Sequence, residues 1–280
     1  MNRLRFNAAF RAALVLTIFA SANAMAGGLF APEFDTGNFK APLTIDNPYW
    51  PMEAGTTYVY FTQTGDGCEW DEVDVTDQSR SIDGIDARIS VDRVWLDESD
   101  HCADQLDNYP DGFPYGDLTE STQDYFAQDD DKNIWYMGEH TVDTTVDEEE
   151  CESWVDTAND PIFPGLSGCL DGSFIAGVND AKPGIVMMAN PSHGDFYQQE
   201  FDEDNAEDWG KVLNFVPAED YAGEYENCLE TKEWSPLEHG AIEHKYYCPG
   251  ADSGLGALVQ VEAVSGGPKE WSELIDVIHN

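Results

Sequence analysis

Between residues 85 and 91 the chain reads IDARISV, with Ile85, Ala87, Ile89 and Val91 separated by polar residues. Such alternation marks a half-buried strand, because successive side chains of an extended chain leave opposite faces. The phase slips before Val94 and Leu96, which predicts a bulge. ALVQVEAV (257–264) alternates as cleanly, and DFYQQEF (195–201) does so over a shorter run. Pro48 and Pro51 forbid helix around Tyr49 and Trp50, and Gly55 leads into an aromatic, β-branched stretch. Lys182-Pro183-Gly184 and Asn190-Pro191 read as turns flanking a short buried strand, IVMMA. Residues 224–250 read as two strands joined through Pro236 and Gly240. The C-terminal WSELIDVIHN fits either a short helix (Trp271, Leu274, Ile275, Ile278) or an edge strand. With no internal repeat and no flexible linker, residues 45–280 are expected to form a single all-β antiparallel domain, preceded by a loop over 25–44.

The first 24 residues read as an export signal. Arg3, Arg5 and Arg11 precede the apolar AALVLTIFASA, and ANA ends at Ala24 as a small-x-small cleavage site. No other stretch has the roughly 18 continuous apolar residues of a membrane span. A periplasmic or secreted protein, not integral to the membrane, is the expectation. The six cysteines agree with an oxidising compartment. Cys68, Cys102, Cys151, Cys169, Cys228 and Cys248 include no CxxC pair, and their spacing suits a thiolate metal site poorly. Pairing between sequence neighbours is expected, since each bridge then closes one loop or hairpin.

Acidity is extreme: 13 Lys and Arg stand against 56 Asp and Glu, a formal net charge of −43. A surface of that sign repels nucleic acid and anionic membranes. Three readings remain, namely adaptation to salt, cation binding, or attraction of a basic protein partner. Disorder is countered by 8 Trp, 12 Tyr and 14 Phe, enough to build a core.

The stretch FAQDDDKNIWYMGE (126–139) has two readings. Asp129, Asp131 and Asn133 are spaced like the first ligands of a calcium loop, whereas the flanking QDYFAQ and NIWYM are strands that make DDDK a hairpin tip. Counted from Asp129, the loop has Ile134 where glycine is needed and His140 where a bidentate glutamate is needed, so the hairpin fits better. Lys132 or Asn133 then takes the left-handed position. The denser oxygen cluster is DEDNAED, with Asp202, Glu203, Asp204, Asn205, Glu207 and Asp208 as candidate Ca²⁺ ligands, although a run of like charge is commonly a solvated face.

Other chemistry is thinly marked. Ser167 lies between glycines without the G-x-S-x-G spacing, and no HExxH, P-loop or Rossmann pattern occurs. His239 and His244, with Glu238 and Glu243, would meet at a metal only across a hairpin; local hydrogen bonding is the plainer reading. Lys182 and Lys245 stand out in a chain poor in cations, as partners of carboxylates or as anchors for an anion on a concave sheet face.

Several ordered blocks carry a resemblance. NPYWPMEAGTTYVY (47–60), FAQDDDKNIWYMGE, AKPGIVM (181–187), YQQEF (197–201), AEDW (206–209) and TKEWSPLEHGAIEHKYYCPG (231–250) resemble an uncharacterised family of exported bacterial β-rich proteins over about residues 45–265. That family is distantly similar to LolA-like half-barrel carriers of lipoproteins or hydrophobic ligands. The resemblance implies a curved antiparallel sheet or half-barrel, cross-linked by disulfides, with long acidic loops and an apolar cup. It carries no activity over, and the acidic insertions around 97–117 and 143–172 depart from it. The function expected is therefore non-enzymatic binding, of divalent cations (calcium foremost) at the acidic loops and of a hydrophobic small molecule on the concave face. The alternatives are a hydrolase using a carboxylate pair and a cell-surface assembly protein.

Overall fold

The computed structural model describes residues 33–156, 162–221, 223–252, 255–267 and 269–280, so the expected export signal lies outside the described residues. Five strands follow one another as a meander: β1 (Thr56–Gln63), β2 (Cys68–Ile82), β3 (Ile85–Asp97), β4 (Asp117–Gln128) and β5 (Ile134–Asp143). Short pieces come next: β6 (Trp154–Val155), β7 (Gly168–Cys169), β8 (Phe174–Ile175), β9 (Lys182–Met187), β10 (Phe196–Gln198) and β11 (Glu200–Phe201). A second meander ends the chain, with β12 (Trp209–Glu219), β13 (Glu224–Trp234), β14 (Ile242–Asp252), β15 (Leu255–Ser265) and β16 (Trp271–His279). All pairings are antiparallel, and β16 pairs with β1, so the two meanders form one curved, open sheet. The C-terminal stretch is thus neither helix nor edge. It is an internal strand between β15 and β1.

Local signals translate as physics expects. β3 and β4 slip register between Val94 and Trp95, where the alternation slips. The DDDK tip turns β4 into β5, with Lys132 at φ 73° in the left-handed region. One turn assignment is corrected. Lys182-Pro183-Gly184 belongs to β9, where Pro183 sits opposite Glu200 of the two-residue β11. Proline is tolerated there because so short a pairing does not need its missing N–H.

Both faces of β1 are buried. Tyr58 and Tyr60 join the main core, while Val59 and Phe61 point the other way and pack with Trp70. The loop between β3 and β4 covers this outer patch. Tyr109 stacks on Trp70 at 5.8 Å, and Phe113 and Tyr115 meet it edge-on and tilted. Cys68–Cys102 ties the loop down, and Cys151–Cys169 and Cys228–Cys248 complete the pairing expected from sequence order. No cysteine is free, the bonding state of an oxidising compartment. Among the described residues no helix is long and apolar enough to cross a membrane.

Residues 196–201 hold the curvature. Their first half pairs as β10 with β12, at one end of the sheet, and their second half pairs as β11 with β9, which itself pairs with β5. This strap draws the two sides of the sheet together across the concave face without closing a barrel. Two glycines let it sit. A Cβ on Gly184 would lie 2.3–2.4 Å from backbone atoms of Gln198 and Gln199, and one on Gly210 would lie 2.5 Å from the Tyr197 ring.

Gly184→Ala is expected to lower unfolding stability by about 1–3 kcal/mol, the usual range for overpacking, in urea denaturation. Gly65→Ala, where an added Cβ meets nothing within 4 Å, should leave the midpoint unchanged.

Candidate functional site

The concave face encloses a cavity of about 430 Å³. Its walls follow from register. Along β2, β3, β4 and β5 the inward positions include Asp71, Asp92, Asp124 and Glu139, and pairing places them in a diagonal line. Asp124 is directly opposite Glu139. Asp92 is two residues beyond Ser90, the partner of Asp124. Asp71 is two residues from Val73, the partner of Asp92. Four carboxyl groups thus climb a staircase across four strands, each a neighbour of the next. The strap adds Glu200, the loop after it adds Asp208, and β13 and β14 add Glu233 and Glu243. The remaining lining is largely aromatic and aliphatic, including Trp50, Tyr58, Tyr60, Val73, Phe126 and Tyr247.

Polar contacts knit part of this wall. The Tyr136 hydroxyl lies 2.5 Å from Asp124 Oδ1 and 3.0 Å from Glu139 Oε2. Thr141 Oγ1 donates to Glu139, and Thr122 Oγ1 donates to Glu120 on the same inner face. Lys245 Nζ sits 2.9 Å from Glu233 Oε2, whose other oxygen accepts from Thr231 at 2.8 Å. Elsewhere donors are lacking. Oδ1 of Asp71 and Oδ1 of Asp92 are buried and have no hydrogen-bond partner. Glu200, 7% exposed, has no hydrogen-bond partner for its carboxyl among the described residues.

Several of these acids are half-buried by area, but they line a cavity walled by protein, so they are desolvated. Desolvation is accordingly the leading cause of their shifts, and neighbouring carboxylates add to it. Asp124 is pushed up to about 7 by burial and by Asp92. Glu139 and Glu200 lie well above the carboxylate range, by burial first and by Asp124 and Glu139, respectively, second. Asp71 and Asp92 are both raised, chiefly by burial, and the neighbouring Asp71 carboxyl raises Asp92 further. Glu69, on the same face, is pushed up to about 7 by burial and then by Glu270 and Glu120. Burial alone would lower the Lys245 ammonium, but Glu233 and Glu243 reverse this and raise it. Near neutrality the cavity therefore holds a mixture of carboxylates and carboxylic acids around one ammonium.

The residues singled out from sequence are dispersed by the fold. Asp208, Glu243 and Lys245 converge on the cavity. His244 faces the other way, with Nδ1 3.1 Å from Glu230. Lys182 is exposed, its Nζ 5.0 Å above the Phe201 ring, away from the cavity lining. Asp129 is buried and accepts from the backbone N–H groups of Asp131 and Asn133, from Asn133 Nδ2 and from Trp135 Nε1. Its carboxylate stabilises the hairpin tip, and Asn133 Oδ1 is taken by the Ala189 N–H. In the 202–208 loop, Asn205 bonds Ser173 and Asp202, Glu207 accepts from the Asp204 N–H, and Glu203 is exposed. Among the described residues, the one trio of metal-type donors within 4.8 Å of one another is Cys151, Cys169 and Asp171, and its two sulfurs are bonded to each other. Asp92 was missed because, with Ser90, it occupies the polar phase of β3, which reads as a solvent face; Asp71 and Asp124 share a face with Val73 and Phe126, and nothing local shows that this face lines a cavity. No family model, curated protein or solved structure matches the chain.

A carboxyl whose folded pKa is raised contributes stability that is complete below its unfolded value, about 4, and is lost as pH rises through its folded value. With Asp124 and Glu69 at about 7, and Glu139 and Glu200 also raised well above the ordinary carboxylate value, the unliganded protein is expected to melt at higher temperature at pH 5 than at pH 8. The expected difference is roughly 5 °C, a few kcal/mol for a chain of this size. Calorimetry at matched ionic strength measures it, and Asp92→Asn should shrink the difference.

Proposed function

We propose that this chain is an exported, non-enzymatic binding protein that holds a small molecule on the concave face of its sheet. The observation that carries the reading is the cavity itself, large enough for a small organic ligand and walled by aromatic rings on a rigid, disulfide-linked sheet. The bonded cysteines, the export signal expected at 1–24 and the resemblance to half-barrel carriers agree with it. Calcium at the acidic loops is the weaker part of the reading, because the 129–133 oxygens are engaged within the hairpin and the 202–208 carboxylates do not converge. A hydrolase is the second reading. Its support is the Asp71–Asp92 pair, two carboxyls on adjacent strands lining the cavity with raised pKa values, the kind of pair that can divide acid and base roles.

A neutral, environment-sensitive apolar dye such as Nile red tests the binding reading by fluorescence titration. One saturable site is expected, weakened about tenfold or more by Val73→Phe, which fills the cavity; no saturable binding would count against it. Ligand recovered unchanged after incubation separates binding from hydrolysis.

A further inference from the structure

We infer that the ligand of the concave cavity is a linear aliphatic polyamine, its ammonium groups seated along the carboxyl staircase and its methylenes against the aromatic wall; this rests on the reading of the cavity as a binding site. Charge sets the first constraint. Lys245 is the one cation among the lining residues, and it is already paired with Glu233. An anionic ligand would face a wall of like sign, and a neutral apolar one would leave the acids without donors. Glu200 supplies the second, independent observation. Its carboxyl is nine-tenths buried, without a hydrogen-bond partner, and delivered into the cavity by the strap. The donorless oxygens of Asp71 and Asp92 repeat the pattern on β2 and β3, which line the same cavity. Buried acceptors of this kind are satisfied by N–H donors carrying positive charge.

Spacing decides between a metal ion and an organic cation. Calcium gathers six to eight oxygens at one point, and no three carboxyl groups here bring oxygens within 4.8 Å of one another. The staircase spreads its acids over four strands, with cross-strand neighbours about 5 Å apart and diagonal ones about 7–8 Å apart. Several separate positive charges joined by short methylene chains match that array. Tyr60, Phe126 and Tyr136 line the same cavity, and aromatic surface favours both methylenes and ammonium groups.

The test uses the mature protein in 150 mM salt, with spermidine as probe and isothermal titration calorimetry as readout. One saturable site is expected, with Kd weakened about tenfold by Glu200→Gln and likewise by Asp92→Asn, each checked for folding by circular dichroism. Asp131→Asn, which removes an exposed charge, should leave Kd unchanged, and 1,8-octanediol should bind at least about a hundredfold more weakly than spermidine. Equal weakening by Asp131→Asn would reduce the interaction to surface charge and overturn the inference. So would calcium at matched ionic strength, or a trilysine peptide, competing better than spermidine does. If Nile red binds and spermidine fails to displace it, the polyamine inference falls while the binding reading stands; if neither binds, both fall.

Discussion

The pairing of β16 with β1 is the contact on which the rest of the architecture depends. It joins the last described strand to the first, from Thr56 opposite His279 to Thr62 opposite Ser272, and is pinned at one end by a 2.6 Å contact between the Thr62 and Ser272 hydroxyls. Without it the two meanders would be separate sheets with bare edges at β1 and β16. With it, one sheet is long enough to curve around a cavity, and Tyr58, Tyr60 and Leu274 from the seam join the main core. Because this contact joins sequence-distant strands, its ordering entropy is offset only once both meanders exist.

Curvature then needs something on each face. Outside the seam, the loop tied by Cys68–Cys102 lays Tyr109, Phe113 and Tyr115 over Trp70. Inside, the strap at 196–201 contacts both sides of the sheet, and the glycines at 184 and 210 permit that approach. These restraints hold open a space that a tighter sheet would fill with side chains. They also bring Glu200 into the cavity that Asp71 and Asp92 line.

Acidity therefore acts in two ways in this molecule. Most carboxylates lie on loops and outer faces, where water and salt screen them. A minority faces inward, where burial and mutual repulsion raise their pKa values and leave oxygens without donors. Asp124 opposite Glu139 is the clearest case, since like charges directly across a strand pair are destabilising unless protonated or bridged by a cation. Such a wall is costly to fold and gains its stabilisation when something positive occupies it.

Strand periods, the turn at 129–133, the bulge at Val94 and the three disulfide partners were legible in the sequence, because each depends on residues close together or on simple order along the chain. Ile85, Ala87, Ile89 and Val91 identified one buried face of β3 correctly. They said nothing of what covers the opposite face, and Ser90, fully buried, and Asp92, lining the cavity, lie there. Alternation reports that two faces differ in polarity; a polar cavity and open water leave the same trace. Equally, DFYQQEF could be read as a strand, but not as one that changes partner at Gln199. The sequence by itself determined an antiparallel, disulfide-bonded, strongly acidic β-domain. Only the tertiary structure decided which acids turn inward and meet, because strand partners and sheet curvature are set by contacts between residues far apart in the chain.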